Sequence, residues 1–162
     1  MATIAFSPSG GISSYGASPT AGFIAQESMA RRDHWLNTQT FGQKFVGSLR
    51  ELHQVFNECK KDNWSGYESM PVSNAAYEVA CRFLEALLPF SLPAPSIGAE
   101  PDGHITFEWY STPFQTLSIS ISPESDIHYA ALIGTNKAYG TEHFYGDIPP
   151  QIIGLIARVS AE

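Results

Sequence analysis

The chain has 162 residues, 43% of them apolar and 12% aromatic, which suits one domain with a buried core and argues against global disorder. Sixteen acidic against nine basic residues leave a net charge of −7, so a general role on DNA, RNA or an anionic membrane is disfavoured, because those surfaces demand clustered Lys and Arg. The chain shows neither a basic start followed by an apolar run nor an apolar stretch near the roughly 20 residues of a membrane span, and the expected location is cytoplasmic.

Residues 1–41 are predicted to form a mobile tail. From Ser7 to Gly22 they are mostly Gly, Ser, Pro and Ala, which bury too little apolar area to offset the entropy of ordering. Phe23, Ile24, Trp35 and Phe41 mark a docking segment near its end. Residues 42–162 are expected to form a single α+β domain. Its first helix is predicted over 42–60, where Phe45, Leu49, Leu52, Phe56 and Cys59 recur at three- and four-residue steps and make a core stripe. A second helix, over 73–89, begins at the good N-cap Ser73, carries Ala76, Val79, Ala80, Phe83, Leu84 and Leu87, and is limited by Pro89.

After Pro93 and Pro95 the apolar period changes from helical to two. Pro101-Asp102-Gly103 suits a three-residue hairpin loop with glycine in the left-handed position, which pairs Ile97 with Phe107 and Ala99 with Ile105. Loops at Thr112-Pro113-Phe114 and Pro123-Glu124-Ser125 pair Trp109 with Leu117, Phe107 with Ile119, Ile121 with Ile127 and Ile119 with Tyr129. Four strands thus share one apolar face, a self-consistent register. A fifth strand is expected over 138–145 after a turn near Thr135-Asn136-Lys137, with either of its faces able to point inward. The last helix is expected from Asp147, with Pro149 and Pro150 in its first turn and Ile152, Leu155, Ile156 and Val159 as its stripe. The predicted fold is therefore a helical hairpin, a five-stranded antiparallel meander and a C-terminal helix, with the helices on one sheet face.

The register places His104, Ser122 and Asp126 in one row and Thr106, Ser120 and His128 in the next, neighbours being about 5 Å apart. A hydrolase triad also needs a nucleophile held by its base and an oxyanion hole, so these are expected to be solvent residues of a polar face. His104, His128 and His143 with Glu108 form a metal-ligand alternative, but their spacing carries no metal signature. No glycine-rich phosphate loop is present, and the tyrosines Tyr110, Tyr129, Tyr139 and Tyr145 read mostly as sheet packing, since base-stacking proteins add a cationic groove. Catalytic residues, metal ligands and cofactors are all expected to be absent. Cys59 and Cys81 lack CxxC spacing and read as reduced core residues, with a disulfide between them left open.

The strongest local signal is the segment from Asp62 to Ser73, where Trp64, Gly66, Tyr67 and Pro71 build a shaped loop between the first two helices. Trp64, Tyr67, Glu68 and Met70 are the candidate partner-binding residues, an aromatic hot spot with acidic neighbours that steers a basic surface toward it. The plainer reading of the loop is a clasp pinned to the helical hairpin.

Asn63-Trp64-Ser65-Gly66-Tyr67 with Pro71-Val72-Ser73, then Phe83-Leu84, Leu87-Leu88-Pro89, Pro101-Asp102-Gly103 and Phe107-Glu108-Trp109, resembles a group of small bacterial proteins with an NWDGYGA-x-P type motif. The resemblance spans roughly residues 48–146, with Ser65 at the motif's aspartate and Glu68 at its glycine or alanine. It implies a bacterial or phage-related cytoplasmic domain and carries over no mechanism. The functional expectation is a non-enzymatic protein that binds another, basic, protein stoichiometrically as an antitoxin-like, immunity-like or accessory subunit, without nucleic acid as a direct ligand and without membrane. The alternatives are a hydrolase or metal-dependent enzyme using His104, His128, Glu108 and Asp126 on the open sheet face, and a structural homo-oligomer.

Overall fold

The structure, a computed structural model, describes residues 43, 45–66 and 68–161. The predicted tail over 1–41, with Phe23, Ile24, Trp35 and Phe41, lies outside the described residues, and so does Tyr67. The fold is α+β, in the order expected. Helix α1 covers residues 45–59 and α2 covers Asn74–Leu87. Strands β1 (Ser96–Ala99), β2 (Ile105–Thr112), β3 (Gln115–Ile121), β4 (Asp126–Ile133) and β5 (Asn136–His143) form one antiparallel sheet in sequential order, and α3 (Pro150–Val159) closes the chain.

Ser73 caps α2 as its chemistry demands: its backbone is extended and its hydroxyl accepts from the Ala76 N–H at 3.1 Å. The α2 stripe from Ala76 to Leu87 is buried, and Phe83 meets Phe107 of β2 with ring centroids 5.1 Å apart. On α1, Leu52 and Cys59 are buried while Phe45, Leu49 and Phe56 pack at the rim. Phe56 is therefore not the core anchor that its period suggests. Its ring stacks on Tyr77 of α2 at 4.5 Å and stays partly exposed, whereas Leu52, on the same helix, is fully buried.

The strand pairs Ile97–Phe107, Ala99–Ile105, Trp109–Leu117, Phe107–Ile119, Ile121–Ile127 and Ile119–Tyr129 all form. Gly103 takes the left-handed conformation (φ +85°) that closes the first hairpin, and Ser125 (φ +70°) does the same in the third. In the second hairpin the ladder shifts between Tyr110 and Thr112, so Thr112 rather than Ser111 faces Gln115, and a bulge replaces the plain three-residue loop. The fifth strand begins at Asn136, two residues before expectation, because Gly134 (φ +63°) turns the chain within two residues and Ile133 pairs with Asn136.

The C-terminal helix begins at Pro150 rather than Asp147. Pro149 precedes another proline, which holds it extended (ψ 134°) and outside the helix. Its stripe of Ile152, Leu155, Ile156 and Val159 is buried, and α3 packs against β2, β3 and β4 while α2 packs against β2 and β3. One sheet face is thus core. Among the described residues no helix is long and apolar enough to cross a membrane.

Candidate functional site

The loop between α1 and α2 is closed by its own polar groups. Asn63, at φ +55°, donates its N–H to the Ser69 carbonyl at 2.9 Å, accepts from Gly66 N at 3.0 Å through its own carbonyl, and accepts from Glu68 N at 2.8 Å through Oδ1. Ser65 N donates to Ser69 Oγ at 3.0 Å, and Trp64 Nε1 donates to the Met70 carbonyl at 3.0 Å. Val72 N then reaches the Cys59 carbonyl at 2.9 Å, satisfying one of the orphan acceptors at the α1 C-terminus.

The indole is thus half-buried and spent on bracing the loop, whereas Glu68 and Met70 stand exposed, Met70 at 60%. Of the predicted partner-binding residues, Glu68 and Met70 are presented, Trp64 is the clasp, and Tyr67 lies outside the described residues. Met70 N donates to the Pro101 carbonyl at 2.8 Å. The loop is therefore fastened to the β1–β2 turn, where a Cβ on Gly103 would lie 2.9 Å from the Pro71 carbonyl oxygen.

That turn opens onto the sheet face opposite the helices. Side chains alternate along each strand, so Glu108, Ser118, Ala130 and Tyr139 make one row of that face, and Thr106, Ser120, His128 and Thr141 the next. His143 shares the face with His128, a point the sequence left undecided, because Asp126 pairs with His143 across the β4–β5 ladder. Asp126 Oδ1 lies 2.8 Å from His143 Nδ1, and His128 Nδ1 lies 2.9 Å from Thr141 Oγ1.

His104 does not stay in its own row. Its Nδ1 sits 3.2 Å from Ser120 Oγ and 3.4 Å from Asp102 Oδ2, and its ring lies parallel to that of His128 with centroids 5.7 Å apart. Under this cover Ser120 is only 9% exposed and Thr106 only 6%, the latter donating to Glu100 Oε1 at 2.7 Å. The expectation that Thr106 and Ser120 face solvent is corrected by these neighbours. Ser122 is likewise buried, its hydroxyl accepting from the N–H groups of Glu124 and Asp126.

Asp102, His104 and Ser120 have the residue types of a hydrolytic triad but not its wiring. In a triad the base receives the nucleophile's proton on one ring nitrogen while the carboxylate holds the other. Here both contacts converge on the same nitrogen of His104. Glu100, Asp102 and His104 place one donor atom each within 4.8 Å of one another, the one potential metal-ligand group of this kind among the described residues. It differs from the set weighed from sequence, His104, His128, His143 and Glu108, because the hairpin turn brings its own carboxylates to the imidazole.

The other half of the open face is aromatic. Tyr110 and Tyr139 are 70% and 81% exposed and flank a hollow of about 480 Å³, lined also by Glu108, Ser118, Ala130, Leu132 and Lys137. The reading of the tyrosines as sheet packing holds for Tyr129 alone, whose ring lies over Gly140 on the core face. Tyr110, Tyr139 and Tyr145 are free of the core. A signal existed in the sequence: Tyr110 has the same parity as Glu108, opposite to Phe107 and Trp109. A smaller apolar groove of about 50 Å³ beside Phe45, Leu84, Leu88 and Phe90 offers Ser48 as its sole polar side chain among the described residues, too little space and polarity for a small-molecule site.

Burial pushes the thiols of Cys59 and Cys81 up from their ordinary range. Both cysteines are free. Compared with known proteins, the chain matches no protein-family model, no curated protein and no solved structure.

Proposed function

We propose that the chain is a non-enzymatic protein-binding module that occludes a partner stoichiometrically, with the sheet face opposite the helices as the interface and the exposed Glu68 and Met70 of the α1–α2 loop as further contacts. The observation that carries this reading is the pair Tyr110 and Tyr139, two large amphipathic rings held out from a rigid sheet on either side of a hollow. Tyrosine supplies contact area at low entropic cost and dominates interfaces where it is presented in this way. An antitoxin-like, immunity-like or accessory subunit needs no more than this, and the NWDGYGA-x-P resemblance adds only a bacterial or phage-related setting.

The test is a complex isolated from the native host and sized by light scattering. A defined stoichiometry, lost in a Tyr110→Ala/Tyr139→Ala variant with unchanged circular dichroism and melting temperature, supports the reading. A complex that forms undiminished with the variant refutes this interface. Light scattering of the protein alone separates the homo-oligomer alternative, which requires a self-association that the same variant abolishes.

A metal-dependent reading rests on the Glu100, Asp102 and His104 donors. Two carboxylates and an imidazole suit manganese or zinc. Elemental analysis after metal loading, repeated on His104→Ala, decides it: stoichiometric metal lost in the variant would promote that reading over the first.

A further inference from the structure

We infer that the open sheet face receives a cationic amphipathic helix of its partner, an inference that rests on the reading of this face as the interface. The occupant's secondary structure follows from hydrogen bonding. Backbone groups in the middle of the sheet are consumed by ladders on both sides of β2, β3 and β4, so an extended segment would find no partners there and belongs at an edge strand. A helix satisfies its own backbone and needs only a surface to lie on.

The dimensions agree. Tyr110 on β2 and Tyr139 on β5 are three strand spacings apart, roughly 14 Å, and a helix with its side chains is about 10–12 Å across. Ser118 and Ala130 form a low floor between the rings, and Leu132 gives the apolar contact.

The charge is also arranged. Glu108 and Asp126 lie on this face and Glu100 and Asp102 at its β1–β2 turn, four carboxylates against Lys137, which lines the hollow one row from Glu108. A helix lying along the strands, with lysines or arginines toward Glu108 and Asp126 and its apolar side on Leu132 and the tyrosines, meets complementary charge along its length.

A partner-independent probe tests this: a synthetic leucine–lysine peptide of helical period, compared with its leucine–glutamate counterpart, by amide chemical-shift mapping and fluorescence anisotropy on the full chain. The lysine peptide is expected to shift Glu108, Ser118, Ala130 and Tyr139, to bind more weakly as salt rises, and to lose at least about tenfold in affinity in Glu108→Gln/Asp126→Asn. The equal charge change Glu78→Gln/Glu85→Gln on exposed positions of α2 is expected to leave binding unaltered, which separates this face from the overall acidity of the chain. Shifts on the helical side, equal loss in the α2 control, or absence of binding would overturn the inference. Equal binding of the glutamate peptide at the same amides would overturn the cationic assignment while leaving the face as an interface.

Discussion

Asp126 and His143 face each other across the β4–β5 ladder, with the carboxylate oxygen 2.8 Å from the imidazole Nδ1, although 17 residues separate them. Their contact belongs to the same alignment that puts Tyr129 opposite Gly140, where the phenol covers the space a side chain would need. A one-residue slip of β5 would carry His143 to the core face and drive a Cβ-bearing residue under Tyr129. The fifth strand, and with it the polar face, is held by this pair of constraints.

Core truncations are expected to separate Leu52 from Phe56. Leu52 is fully buried, so Leu52→Ala should cost about 3 kcal/mol through lost transfer energy and a cavity. Phe56 keeps part of its ring in water, and Phe56→Ala should cost about half as much, on the order of 1.5 kcal/mol. Urea denaturation of both variants measures the difference, and the reverse order would contradict the deeper burial of Leu52.

Gly103→Ala is expected to destabilise by about 2 kcal/mol, because φ +85° disfavours any side chain and the new Cβ would press on the Pro71 carbonyl at 2.9 Å. The strain falls where the Trp64 loop is fastened, so faster hydrogen exchange at Met70, whose N–H donates to Pro101, should accompany it. A stable variant with a protected Met70 amide would contradict the assigned contact.

The clasp and the presented edge are separable by mutation. Trp64→Phe keeps most of the ring but deletes the bond to the Met70 carbonyl, and should lower stability by about 1 kcal/mol with partner affinity unchanged. Met70→Ala should do the opposite, leaving the melting temperature in place and weakening the complex, since the side chain is 60% exposed. Equal effects of the two substitutions on affinity would return Trp64 to the interface.

Alkaline pH is expected to destabilise the fold. Cys59, Cys81 and Tyr77 all have raised values, chiefly because burial disfavours their charged forms. A group whose folded value lies above its unfolded one contributes its stability fully below the unfolded value and loses it as pH rises toward the folded one. The unfolded thiols start from 9.0, so melting temperatures should hold up to about that pH and fall above it. A Cys59→Ala/Cys81→Ala variant should show a shallower decline, and an identical decline would assign the effect to other groups.

Much of this fold was legible in the chain because its determinants are local. The stripe from Ala76 to Leu87 depends on helical period, Ser73 caps its helix through its own hydroxyl, and Pro101-Asp102-Gly103 sets the hairpin from which the pairing of Ile97 with Phe107 follows. Turn chemistry and apolar period together determine which residues of four strands face the core. What only the tertiary structure decided depends on neighbours brought from far away in sequence. Phe56 is at a rim where it stacks on Tyr77 of α2, and Trp64 is half-buried where its N–H meets the Met70 carbonyl. Thr106 and Ser120 are buried by Glu100, His104 and His128, whose side chains converge only after three strands have paired, and the two exposed tyrosines acquire their hollow only when β5 closes the sheet. Period and turns act over a few residues, whereas a surface is made by residues that meet only in the folded chain.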